Sequence, residues 1–520
     1  MKKFIIFLAC AMMGTMAWGQ KVTKRPVTIT KEYNYVKYGT YLISNEPDKF
    51  YMYIFPKFRG GKPALKHQIA IYNKRARSIS YKNLTLKDDQ YLISLFDEGP
   101  YFFADYLNSD RKTGCTYGVA HISKKSPSLL DPVPVFSLKK AYMTGYSIVS
   151  SDSSMHATLL AVDFKKASSC FYVFVYDKDG KEVYHKSFTP AVSGKRMIFQ
   201  GATLSNDGEV ALLLTTFDVK DKMLRFETRT DYSQDNSLHI SLIKEQDIIE
   251  YRIPHFSFGD IHSTDIIRLK NGKYFIGGYY GPDIYTPSSG YFSCIFDPDT
   301  EDIVDVHDYT LPDEQAAKDV NAKVARFKYF VYIHHIYELD NGQIVMLGEQ
   351  CALCTKTVPG INNTTSTSYI FNASDILYQT FDQSGESSGS HMIRKLQEHM
   401  ASYRPSMRTS DYCAFSFDIR ELGLSFSSFQ KGNDIYLLYN NNSSSPDDMC
   451  LIQDIFDKQK NTCVRLAKIS PDSEVVREAV MNCEIRENYF RDLWLVDDNE
   501  IYFRTNAHKG YIIESFSLDK

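Results

Sequence analysis

Short apolar runs separated by compact polar turns recur along most of the chain, and the turns are of two kinds. The first leads from an apolar run through Asn206-Asp207-Gly208, Asn271-Gly272, Asn341-Gly342, Lys431-Gly432 or Asp497-Asp498-Asn499 into another apolar run. The second places an aromatic or aliphatic residue before an acidic or proline-containing turn and a charged run: Tyr176 to Lys181, Phe296 to Glu301, Phe381 to Glu386 and Ile469 to Glu474. Asn-Gly and Asp-Gly supply the positive φ that tight hairpins require, and flanks such as 274–279 and 344–347 read as strands. The kinds alternate along the chain, so each unit contains two hairpins, or four strands.

Repetition of a four-stranded unit predicts a β-propeller. The units read as 41–80, 90–137, 144–190, 199–255, 262–312, 330–400 and 421–482, with an eighth from Arg491 to Leu518. The first two are degenerate, so seven blades is the neighbouring count. The last unit has about three strands. The strand-like stretch from Val22 to Val36, with Val27-Thr28-Ile29-Thr30, is the candidate to complete it and close the ring, which would remove exposed edges. Two stacked β-sandwich domains are the alternative architecture, since turn signals are shared by all-β folds. Aromatic residues at 14%, with 37 Tyr and 33 Phe against 2 Trp, suit strands.

Insertions interrupt the pattern near 312–327, 351–374, 384–410 and 440–462. Helix-forming composition predicts short helices over 312–325, after a Leu-Pro start, and over 391–400. The Thr-, Asn- and Ser-rich stretch 355–374 predicts a long exposed loop. Loops on a rigid scaffold commonly hold binding sites.

Residues 1–19 read as a signal peptide. Lys2 and Lys3 precede an apolar run from Phe4 to Met16, and Ala17-Trp18-Gly19 offers small residues for cleavage between Gly19 and Gln20. The mature propeller would span 20–520, exported to the periplasm, the outer membrane or beyond. A lipoprotein acylated at Cys10 is the lesser alternative, as it leaves 11–18 as an apolar stub. No later stretch reaches the length needed to cross a bilayer as a helix. The net charge of −3 supplies no basic field for nucleic acid.

Of the ten cysteines, Cys351 and Cys354 form a close pair and Cys450 and Cys463 a looser one. A Cys351–Cys354 disulfide, or two thiols in a loop, fits better than redox chemistry, which needs a helix to lower a thiol pKa. The other cysteines read as buried apolar residues. His334 and His335 alternate on a strand and so diverge from any shared metal. No phosphate-binding glycine loop, dinucleotide fingerprint, EF-hand or HExxH motif occurs, so no cofactor or metal is expected.

Two short motifs invite catalytic readings. Tyr251-Arg252-Ile253-Pro254 resembles the arginine motif of sialidases, in which the guanidinium grips a carboxylate, but it lies in mid-chain with no accompanying Asp box. Gly385-Glu386-Ser387-Ser388-Gly389 fits the nucleophile-elbow pattern, which needs a parallel α/β sheet that this chain does not predict. Through turns such as Asn271-Gly272 and Asp179-Gly180 the chain resembles exported bacterial β-propellers of the broad TolB-like or NHL-like type. No unit ends in the Trp-Asp of WD40 repeats. The resemblance implies a fold and leaves two function classes. One is a non-catalytic binding or assembly protein that holds an envelope protein or a glycan. The other is a carbohydrate-active propeller, a glycoside hydrolase or lyase, whose axial carboxylates would serve as acid and base.

Overall fold

The computed structural model describes residues 27–29 and most of 38–518; outside the description lie, besides shorter stretches, 1–26, 30–37, 57–66, 227–236, 402–423 and 452–461. The described residues form eight antiparallel four-stranded blades. Blades 1 to 7 occupy 38–84, 90–138, 141–188, 195–253, 260–310, 330–393 and 426–483. Blade 8 is made of 490–517 and the strand Val27–Ile29, which pairs antiparallel with Tyr511 to Ile513. The chain is an all-β, eight-bladed propeller closed by its N-terminal strand. The signal peptide and its cleavage site at Gly19 and Gln20 lie outside the described residues.

Eight apolar clusters hold the ring, and each joins two adjacent blades. One unites Ala211, Leu213, Leu238 and Ile240 of blade 4 with Tyr274, Ile276 and Phe292 of blade 5. The next packs Phe275 and Tyr279 of blade 5 against Val331, Ile344 and Met346 of blade 6. Strand Tyr274–Gly281 therefore sends alternate side chains to opposite neighbours, and every one of its residues is buried. The closing joint has the same construction: Phe50 and Tyr72 of blade 1 meet Tyr502 and Ile513 of blade 8, with Phe50 stacked on Tyr72 at 4.6 Å between ring centroids.

The two predicted kinds of hairpin share one geometry. In Leu269 to Lys273 and Leu339 to Gln343, as in Asp177 to Lys181 and Asp382 to Glu386, the first residue's N–H donates to the fifth carbonyl and the fourth residue's N–H returns to the first. That fourth residue is Gly272, Gly342, Gly180 or Gly385, with φ between 71° and 87°. This is a type I turn ending in a glycine bulge, so only one residue needs positive φ. A Cβ at Gly272 would meet nothing within 4 Å, so the requirement for glycine there is conformational alone.

Neither helix expected from composition forms among the described residues. Ser387–Ile393 and Gln397–Ala401 are strands, and His391 lies opposite Tyr378 with the rings stacked at 4.6 Å. Within 312–327 the chain makes a turn and then a small hairpin, Val320–Ala322 with Ala325–Phe327. Sheet pairing outweighs helix propensity of a few tenths of a kcal/mol per residue. The described part of the loop expected over 355–374 is also regular: 355–359 and 365–374 belong to strands Ile344–Pro359 and Thr365–Phe381, paired from Pro359–Thr365 downwards.

His156, between blades 2 and 3, stacks on Phe96 at 3.8 Å and near Tyr176, and its Nε2 is buried with no hydrogen-bond partner. Burial holds its imidazole at about 4, whereas an unfolded chain takes up a proton near pH 6.5. Stability contributed by neutral His156 is complete above pH 6.5 and falls as the pH drops towards 4. The melting temperature of His156→Leu should accordingly decline less between pH 7 and pH 5 than that of the wild type. Equal declines would show that His156 is not a source of acid sensitivity.

Candidate functional site

Antiparallel connectivity assigns the connections to two faces of the ring. Links between first and second strands, and between third and fourth, lie on one face, and none exceeds the six residues of 470–475. Links between second and third strands, and crossings between blades, lie on the other. The strand ends that flank every long connection, 57–66, 219–236, 311–329, 394–425 and 443–461 among them, lie on that loop face.

An arm rises from blade 6 on this face. Past Cys351, Ile344–Pro359 and Thr365–Phe381 continue as a hairpin beyond the blade, joined by Gln397–Ala401 and then, in parallel, by Cys450–Leu451 of blade 7. The ladder shifts register between Glu349 and Cys351, so a bulge marks the departure of the arm from the blade.

A fully buried charged network occupies this departure point. The Lys395 ammonium donates to Glu349 Oε1, and both side chains are 0% exposed. His334 Nε2 lies 3.1 Å from Glu349 Oε2 and 3.2 Å from Ser425 Oγ. Lys395 also donates to Gln397 Oε1 at 2.9 Å, which accepts the Ser425 N–H at 2.7 Å. Gln397 Nε2 donates to the Asn440 carbonyl at 2.7 Å. Blade 6, the arm and the first two strands of blade 7 thus share one set of bonds. Burial by itself would raise the Glu349 carboxyl, but the charge of Lys395 and the contacts with His334 outweigh it and hold the group at about 2. Burial, with the adjacent Glu349 carboxylate, pushes the Cys351 thiol well above its usual range.

Ser425, at the end of this network, has φ of 70°, a strained value for a serine. Ser425, His334 and Glu349 nonetheless do not form a hydrolytic triad. Serine and carboxylate approach the same imidazole nitrogen, whereas a triad needs one on each, and Glu349 is already committed to Lys395.

The sequence-selected residues scatter. Cys351 is a buried free thiol. Of the two readings of this pair, a bond to Cys354 is not formed: the cysteines are three positions apart on one extended strand, about 10 Å, beyond the reach of a disulfide. Cys115, Cys170, Cys294 and Cys463 are likewise buried thiols outside any disulfide. Arg252 is exposed on the outermost strand of blade 4, opposite His239, far from the axis. Ser387 follows a tight turn on the other face, where its Oγ is 2.9 Å from the Tyr291 hydroxyl and its N–H donates to the Tyr309 hydroxyl. His334 and His335 diverge, as strand geometry requires: His334 is the bulged residue facing blade 7, while His335 stays exposed and edge-on to Tyr337. Glu349, Lys395, Gln397 and Ser425 carried no local signal, because they meet only through the fold.

No family model and no curated protein matches the chain. Among solved structures, the WD40 domain of SCAP from fission yeast is similar at 11% identity and TM-score 0.34, over 95% of this chain and 98% of that one. The β-propeller domain of the Trilobed protease from Pyrococcus furiosus is similar at 11% identity and TM-score 0.32, over 83% and 96%. Likeness at this level assigns no function, and the eight-bladed ring stands on strand pairing and the eight inter-blade clusters.

The buried pair makes a quantitative prediction. Glu349→Leu or Lys395→Met alone leaves an uncompensated buried charge and should cost about 3–5 kcal/mol. The double substitution should cost markedly less than the two together, read from urea unfolding of all four proteins. Simple additivity would mean that the charges do not depend on each other.

Proposed function

We propose that this chain is an exported binding or assembly protein of the cell envelope that holds another protein or a glycan on its loop face and performs no chemistry of its own. The asymmetry of the ring carries this reading: one face has only compact turns, while the other has every long connection and an arm anchored by a buried charged network. Loops and extensions on a rigid scaffold are suited to recognition. The carbohydrate-active alternative calls for two carboxyl groups about 5–10 Å apart. Among the described side chains of the first strands, which line the axis, Asp265 is the one carboxylate at mid-height. The apolar leader at 1–19 supports export.

Capture from envelope extracts, with residues 20–520 as bait, tests the contact surface. A stoichiometric partner should be retained by the wild type and lost when the arm is cut back by replacing 353–371 with a tight turn, while the melting transition of the ring persists. Retention unaffected by the arm, or a polysaccharide cleaved by the purified protein, would overturn the reading. Export has its own test. Protein expressed from the full chain should be recovered with Gln20 as its first residue by intact mass, and a retained leader or an acylated Cys10 would contradict it.

A further inference from the structure

Neighbouring first strands pack against one another around the ring, and between blades 6 and 7 His334 lies on Phe426 while Tyr337 donates to Ser428. They form the wall of the axial channel of a propeller. Asp265 stands at mid-height on this wall, on Asp260–Arg268 of blade 5, opposite Gly277. Its Oδ1 accepts the Ile266 N–H at 2.8 Å and sits over the bare Cα of Gly201 on the first strand of blade 4, where a Cβ would come within 2.2 Å of that oxygen. The side chain is only half-buried. Because apolar clusters pack both faces of blade 5, the approach left to this side chain is along the axis.

The contrast with Asp105 is informative. Asp105 is buried between blades 2 and 3 and saturated by the hydroxyls of Ser94, Tyr117 and Thr158, each at 2.6 Å. Asp265 has one backbone N–H and, among the described residues, no ion-pair partner. A carboxylate offers about four acceptor sites, so the described residues leave most of the capacity of Asp265 unfilled. His335, four residues before the Leu339 turn as Asp265 is before the Leu269 turn, exposes its ring at the same height in blade 6.

We propose that Asp265 is the anionic anchor of a binding site for a small organic cation, bearing an ammonium or guanidinium group, that enters along the ring axis. This site is separate from the loop-face contact surface and does not depend on it. One carboxylate satisfies the charge of such a ligand, whose N–H groups fill the open acceptor positions. A hard metal ion instead asks for several converging oxygens, and no group of three or more ligating side chains occurs among the described residues.

Burial lifts the Asp265 carboxyl to about 7, so a cation competes with a proton for it. The titratable groups around it are His262 on its own strand, bonded to Ser288, His334 and His335 on the adjacent first strand of blade 6, and Arg268 near the turn, paired with Asp207. Ligand binding selects the ionised form. Affinity should therefore rise about tenfold between pH 6 and pH 8.

The test uses residues 20–520 with methylguanidinium and ethylammonium as probes, read by saturation transfer to the probe methyl resonances. Saturable binding that strengthens about tenfold from pH 6 to pH 8 is expected, abolished in Asp265→Asn and weakened in Gly201→Ala, whose Cβ displaces the carboxyl. Thermal melting confirms that each variant is folded; the amide matches the carboxyl in shape, so Asp265→Asn should melt no lower than the wild type. The proposal is overturned by an absence of saturable binding at pH 8, by retained binding in folded Asp265→Asn, or by equal competition from potassium ions.

Discussion

Each blade has two apolar faces, and neither can be left to water. Tyr274–Gly281 shows why: with every residue buried, half its side chains depend on blade 4 and half on blade 6. A row of such sheets has no stable end, and only a closed ring covers the last face with the first. The joint between Phe50, Tyr72 and Tyr502 is thus a condition for the other seven, although it joins regions more than 400 residues apart in sequence.

Closure leaves the turns and loops as the places where the chain is free to vary, and the structure treats the two faces differently. On one, the connections stay short, and several are five-residue turns with a single positive-φ glycine. On the other, blade 6 extends into the arm. The arm leaves the ring where the ladder is bulged, and apolar packing alone would allow its strands to slide there. Bonds from Lys395 and Gln397 to Glu349, Ser425 and Asn440 have fixed lengths and directions, so they define one register for the arm against blades 6 and 7.

Much of this architecture was legible in the chain. The alternating hairpins, the eight units and the closing role of Val27 to Ile29 all follow from turn residues and apolar runs, which act locally. Residues 391–400 were not legible, for a definite reason. From Ile393 to His399 the burial alternates as in any strand, but three of the buried positions are Lys395, Gln397 and His399. An apolar pattern cannot report positions filled by polar residues, so composition favoured a helix. Thr355 to Ser374 misled in the opposite sense, its polarity suggesting a loop where Thr-rich strands pair with each other. The Glu349 network and the seat of Asp265 over Gly201 were beyond reach because their members lie on different strands, and nothing in the intervals between them reflects that proximity.

The three-residue strand Val27–Ile29 also sets a schedule. It emerges from the ribosome about 480 residues ahead of its partner, Gly510–Ser517. At about 5–20 residues per second the interval is on the order of a minute. Throughout that time seven blades can assemble in order while blade 1 presents an uncovered flank, a nascent species that a chaperone would meet as an incomplete crescent and never as a circle.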